Sequence, residues 1–229
     1  MATFFVVGEI LEQKPEILDK IIENDHEIAF HTMHHKRLDT ITKDEFAQEV
    51  KKFSDITNKR SRGFRAPTFS LNQNTKWALD ILNENNYLYD SSIVPAKTRL
   101  YGIAEADTKP YKISSDNLSQ NNNDAKMLEF PLMITRFFGK KMPAGGGFYL
   151  RFLPLGTIES TIKKYESERK PATFYIHSWE LTPEYMPRIS LPFNDRFITY
   201  HNLHKAKPKM DKLIKKFKFT SFEKYIRTN

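Results

Sequence analysis

Short β-prone runs alternate with amphipathic segments over the first ninety residues, and this constrains the fold more than any other feature of the chain. Residues 3–7 (TFFVV) are a continuous apolar run closed by Gly8, the pattern of a strand buried on both faces. Pro15 can open a helix at its first turn, and Ile17, Leu18, Ile21 and Ile22 then give residues 15–24 one apolar face. Residues 27–30 (EIAF) read as a second strand running into His31. Thr42 with Glu45 has capping-box spacing and opens a helix whose stripe is Phe46, Val50 and Phe53. Residues 63–65 (GFR) make a third short strand before Ala66-Pro67, and residues 74–85 another helix. Alternation at this spacing predicts parallel strands with helices packed outside, in an open doubly wound sheet or a barrel.

Periodicity weakens after that. Residues 95–126, ending in an Asn-rich run, read as an irregular excursion. Residues 127–134 resume as strand, Gly145 to Gly147 must be irregular, and residues 154–170 form a helix with Ile158, Ile162 and Tyr165 in register. Residues 172–176 (ATFYI) read as a last core strand, residues 205–218 as a basic helix, and the closing FKFTSFEKYI as a helix followed by a terminal strand. With 229 residues, no internal repeat and no evident linker, the expectation is one domain over 1–229.

Hydrophobic residues are 39% of the chain, with 18 Phe and 10 Tyr, which excludes global disorder. No run approaches 18 apolar residues, so no membrane span is expected. The start has neither a basic region nor a cleavage site, so the expected location is cytoplasmic for the sequence as given, and extracellular or cell-envelope if a leader has been lost. The absence of cysteine leaves His, Asp and Glu for metal or acid–base chemistry. The formal charge is +8, but the densest basic stretch, residues 205–218, spaces Met210, Leu213, Ile214 and Phe217 helically. It reads as a solvated helix face, and no nucleic-acid partner is expected.

Three segments carry candidate chemistry, each at a predicted strand end. His31-Thr32-Met33-His34-His35 holds two imidazoles four apart, which can share one divalent metal if the segment turns helically; a chance run of exposed histidines fits the spacing equally well. Arg65 offers a permanently charged donor fork that can hold a carboxylate ionised. His177 suits a general acid near neutral pH, or a core-edge histidine bonded to backbone. His26, His201 and His204 read as structural or surface residues.

Together ATFFVVG, DHEIAFHTMHH, GFRAPTFS, YDSS and FYIHSWE resemble, in order and spacing, the polysaccharide deacetylases with NodB homology (carbohydrate esterase family 4), which include chitin and peptidoglycan deacetylases. The ending HSWE, the Arg188 region and the basic helix are similar to a subgroup associated with exopolysaccharide and cell-surface glycans. The resemblance implies a distorted (β/α) barrel of about seven strands and hydrolysis of an N-acetyl group from an amino-sugar glycan with a divalent metal, Zn2+ first. It implies His31 and His35 as metal ligands, Thr32 as loop support and His34 as a bystander. Arg65 would brace a catalytic aspartate, His177 would be the general acid, and Pro67 would lie in the groove-lining motif. Independently of the resemblance, Trp179 and Tyr149 offer aromatic faces for sugar stacking, with loop packing an equally good explanation for Tyr149. The family's first motif, Thr-Phe-Asp-Asp, precedes the segment matched by ATFF and has no counterpart here. Either the sequence is a piece of an active deacetylase, or it is a form that keeps the fold and binds carbohydrate without chemistry. Loss of a first strand would expose the edge of TFFVV and favour a homodimer there. Asp39, Asp90 and Glu180 are the acids near these motifs, with turn capping the stronger reading for Asp90.

Overall fold

A computed structural model describes residues 1–137 and 139–228, organised as two compact units, residues 1–131 with 219 onward, and residues 132–218. The first unit runs β1 (Thr3–Val6), α1 (Gly8–Gln13), α2 (Glu16–Glu23), β2 (Glu27–Phe30), α3 (Lys43–Ile56), β3 (Gly63–Phe64), α4 (Trp77–Glu84), β4 (Tyr89–Asp90), β5 (Tyr111–Ile113) and β6 (Met127–Glu129). Its sheet has the order β1-β2-β3-β4-β6-β5, with every pair parallel except β5 against β6. The mixed α/β class and the parallel strands agree with the sequence pattern.

The helices form for the reasons their sequences give. Thr42 Oγ1 accepts from the Glu45 backbone N–H at 3.2 Å, and Glu45 Oε2 accepts from the Thr42 N–H at 2.7 Å, which satisfies two orphan donors at the start of α3. Its stripe Phe46, Val50 and Phe53 is fully buried, with Phe53 against Phe30 at 4.6 Å and Phe46 against Phe64 at 5.3 Å between ring centroids.

Four segments differ from the sequence expectation. First, β1 is an edge strand, not one buried on both faces: Phe4 is 42% exposed, while Phe5 points inward to Tyr89. Second, the excursion at 95–126 contains β5 and buries Ala106, Tyr111, Ile113 and Leu118, so it is packed structure. Third, residues 172–176 make only isolated bridges, Thr173 to Leu132 and Tyr175 to Gly146. Gly146 has φ +122°, where a Cβ would lie 1.7 Å from the Tyr175 carbonyl oxygen, so the backbone there kinks instead of continuing a ladder.

The second unit contains β7 (Ile134–Phe137), β8 (Lys140–Pro143), α5 (Phe148–Phe152), α6 (Leu155–Ser167), α7 (Ser178–Leu181), α8 (Phe193–Tyr200) and α9 (Ala206–Lys216). β7 and β8 form an antiparallel hairpin, and α6 buries Ile158, Thr161, Ile162 and Tyr165. In α9 Leu213 is buried but Ile214 is 55% exposed, so the apolar stripe is narrower than its spacing suggests. Lys209 reaches the carbonyls of Leu150 and Leu153, at 2.9 and 2.6 Å, so one lysine of the basic run caps a helix end.

The fourth difference is at the C-terminus. The segment expected to end as a strand is α10 (Phe222–Thr228), in the first unit. Ser221 starts it, with its carbonyl accepting from the Tyr225 N–H at 3.0 Å, and Phe222 packs on Phe5, Tyr89 and Phe130. The N–H groups of Phe222 and Glu223 donate to Thr3 Oγ1 and Glu27 Oε2, both at 3.0 Å. The chain's own α10 thus covers the inner face of β1, and the expectation of a second copy on this strand draws no support from the structure. No described helix is long and apolar enough to cross a membrane.

Candidate functional site

Parallel strands deliver their C-terminal residues to one edge, which is where His31, Arg65 and Ser91 follow β2, β3 and β4. The ladder continues past the strand ends: His31 N–H donates to the Val6 carbonyl at 3.1 Å, Arg65 N–H to Phe30 at 3.0 Å, and Ser91 N–H to Phe64 at 3.0 Å. His31 Nδ1 lies 2.6 Å from the Arg65 carbonyl oxygen. A carbonyl only accepts, so Nδ1 carries the proton and the ring's lone pair sits on Nε2.

The loop after His31 is held by backbone contacts. Thr32 and His35 adopt left-handed φ of +57° and +54°. The Thr32 carbonyl accepts from the Gly8 N–H at 3.0 Å, and Glu49 Oε2 accepts from the Met33 N–H at 2.9 Å. The Thr32 hydroxyl is buried with no hydrogen-bond partner among the described residues, so Thr32 supports the loop through its main chain. These turns bring the His31 and His35 rings to 4.9 Å between centroids. Metal–nitrogen bonds of about 2.0–2.1 Å at a tetrahedral centre separate two ring centroids by about 5 Å, so the pair fits one divalent cation. Among the described residues no group of three or more His, Cys, Asp or Glu converges there, so no carboxylate joins the two imidazoles. His34 Nδ1–H donates to Glu9 Oε2 at 3.0 Å.

Arg65 is buried. Its Nε donates to the Ser91 carbonyl at 2.9 Å and a terminal nitrogen to Ser91 Oγ at 2.7 Å, while its guanidinium carbon stacks 4.2 Å above the Phe5 ring. Nearby, Asp90 and Glu129 face each other across β4 and β6. Asp90 accepts from Ser92 N–H and Ser92 Oγ, at 3.1 and 2.6 Å, which is the turn-capping role. Glu129 Oε1 accepts from the Ile93 N–H at 3.0 Å, but Oε2 meets no donor among the described residues. Burial first, then the charge of Asp90, pushes the Glu129 carboxyl well above its ordinary range, and burial raises that of Asp90 as well. Pro67 is buried in a tight turn in which Thr68 and Phe69 have φ of +54° and +50°.

In the second unit His177 follows the irregular strand 172–176 and precedes α7. Glu180 Oε2 accepts from both its Nδ1–H at 2.8 Å and its backbone N–H at 3.1 Å. Glu180 is fully buried, and its Oε1 accepts from Arg151 Nε at 2.7 Å. Burial pushes its carboxyl up, but the hydrogen bond and charge of His177, with the Arg151 charge, outweigh this and hold it below its usual value. Trp179 stacks on His177 at 4.9 Å and 17° between planes. Tyr149 is half-buried beside Phe148, and burial raises its hydroxyl pKa. Arg151 is the residue the sequence does not reveal. Glu180 is signalled by its position three residues after His177, though its oxygens are committed to His177 and Arg151 and not to a metal. Asp39 is bound to Arg37 on the surface.

Residues 1–87 match the profile of the polysaccharide deacetylases, and residues 91–227, more than half of the chain, match that of a domain of unknown function, DUF3473. The peptidoglycan-N-acetylglucosamine deacetylase of Bacillus cereus is 35% identical over 86 residues, 34% of this chain and 30% of that enzyme. The structure is similar to Puue allantoinase, with a TM-score of 0.57 at 14% identity, covering 98% of this chain and 66% of that one. It is also similar to the 4-alpha-glucanotransferase of Thermococcus litoralis, with a TM-score of 0.57 at 17% identity, covering 99% of this chain and 32% of that one. At such identities these two structures speak to the fold alone, a mixed α/β architecture. The chain belongs to the family described as DUF3473, a domain of unknown function, and its N-terminal 87 residues match the polysaccharide deacetylase profile.

Proposed function

We propose that this chain is a metal-dependent hydrolase that removes N-acetyl groups from an amino-sugar polysaccharide or glycan precursor, built as one deacetylase-like domain in which the six-stranded sheet is an arc of a distorted barrel. The observation that carries this reading is the fixed tautomer of His31 beside His35: the Arg65 carbonyl accepts from Nδ1–H, which puts the ring's lone pair on Nε2. His31 and His35 would hold the cation, with Zn2+ the best match to imidazole donors. When bound, such a cation supplies a Lewis acid that acidifies water and polarises the acetamide carbonyl.

The chain's own residues do the rest. Protonated His177 keeps Nδ1–H on Glu180 and gives its Nε2 proton to the departing amine nitrogen as the carbon–nitrogen bond breaks. Trp179 and Tyr149 offer aromatic faces suited to sugar rings, and Pro67 fixes the turn beside Arg65. The test is acetate release from N-acetylglucosamine oligomers in added Zn2+, with His31→Ala/His35→Ala and His177→Ala as controls. Release that both controls abolish is expected.

The lack of a third converging His, Asp or Glu among the described residues favours a second reading, a carbohydrate-binding relative without chemistry. Oligomer binding with no acetate release at any Zn2+ concentration would select it.

A further inference from the structure

His177 is half exposed, with 44% of its side chain open, yet it is tied to one of the most deeply buried ion pairs in the second unit. We propose that Glu180 and Arg151 are positioning residues for His177, which lock its ring in the tautomer that protonates Nδ1 and reserves Nε2 for proton transfer. The proposal rests on the reading of His177 as the general acid.

Each donor and acceptor in the assembly has one place to go. Glu180 spends Oε2 on His177 and Oε1 on Arg151 Nε. The other guanidinium nitrogens of Arg151 donate to the carbonyls of Ile198 at 2.9 Å, Thr199 at 3.2 Å and His201 at 2.6 Å. These lie at the C-terminal end of α8, where helix carbonyls lack partners within the helix. Arg151 is therefore oriented by backbone, Glu180 by Arg151, and His177 by Glu180. Trp179 against one face of the imidazole and Tyr175 at its edge, 5.2 Å away, fix the ring plane.

A pair serving only to clip α8 to α7 would need one carboxylate oxygen and no exposed partner. Here the second oxygen leads outward to the imidazole. Charge-assisted bonds of this kind are short and directional, so the tautomer is set by the carboxylate and not by solvent.

Glu180→Gln makes the proposal sharp. Arg151 Nε belongs to a buried cation that can only donate, so the amide oxygen turns to it and the amide NH2 to His177, whose part-buried backbone N–H gives up its acceptor. Nδ1 then has to accept, and the proton moves to Nε2. The experiment is imidazole nitrogen-15 NMR on the full chain at a pH where the histidines are neutral, with His177→Ala to assign the signal. The expected result is Nδ1–H in the unsubstituted protein and Nε2–H in Glu180→Gln, with kcat for acetate release falling more than KM rises. A predominant Nε2–H form in the unsubstituted protein would overturn the proposal, even if the variant does not fold. An unchanged tautomer in a folded Glu180→Gln protein would overturn it as well. The spectra need no substrate: correct tautomers without acetate release would refute the deacetylase reading alone.

Discussion

His31 and His177 are each held at Nδ1 by an acceptor, but by different means. Backbone holds His31, through the Arg65 carbonyl at the end of an adjacent parallel strand. Side chains hold His177, through a buried carboxylate and a buried arginine. The first arrangement follows from strand order and tolerates side-chain change nearby. The second depends on two charges withdrawn from water, where removing one partner leaves the other stranded.

This contrast sets an order of expected effects. Arg151→Ala should be the most damaging, since it leaves Glu180 buried without its cation and three carbonyls without donors. A loss of about 3–5 kcal/mol in urea unfolding is expected, and a loss below about 1 kcal/mol would contradict the contrast. Phe222→Ala probes the first unit by packing alone. Phe222 is only partly buried, so roughly half of the 3–5 kcal/mol typical of a core Phe→Ala change is expected, with circular dichroism as the check on fold.

The acid pair of the first unit gives a pH test. Because the folded-state pKa of Glu129 is raised, its contribution to stability is complete below the ordinary carboxylate range and is lost as pH rises through the folded value. Stability should therefore decline toward higher pH, and Glu129→Gln, which keeps an acceptor for Ile93 N–H and cannot ionise, should flatten that decline. A slope unchanged in the variant would place the titration elsewhere. The smallest effect is Thr42→Ala, which removes one half of the capping box and should cost about 1 kcal/mol in thermal unfolding.

The same contrast explains what could be read from sequence. Residues 27–30 and 63–65 mark strands by composition, and parallel pairing then places His31 and Arg65 at one edge, so that part of the candidate site follows from local pattern. Arg151 meets Glu180 across 29 residues, and nothing in FYLRF signals it. FKFTSFEKYI contains β-prone aromatics, yet Ser221 starts a helix and Phe222 earns its place by packing on Phe5, Tyr89 and Phe130. β5 was hidden in the excursion because three residues against β6 leave no detectable period. Tertiary contact decided each of these cases over local preference.

The most direct test of the account is calorimetric titration of the 229-residue chain with Zn2+ beside His31→Ala/His35→Ala. The account predicts one site of about micromolar affinity or tighter, near −8 kcal/mol, that the double variant lacks. Equal binding by both proteins, or none by either, would contradict the assignment of His31 and His35 as a metal-binding pair.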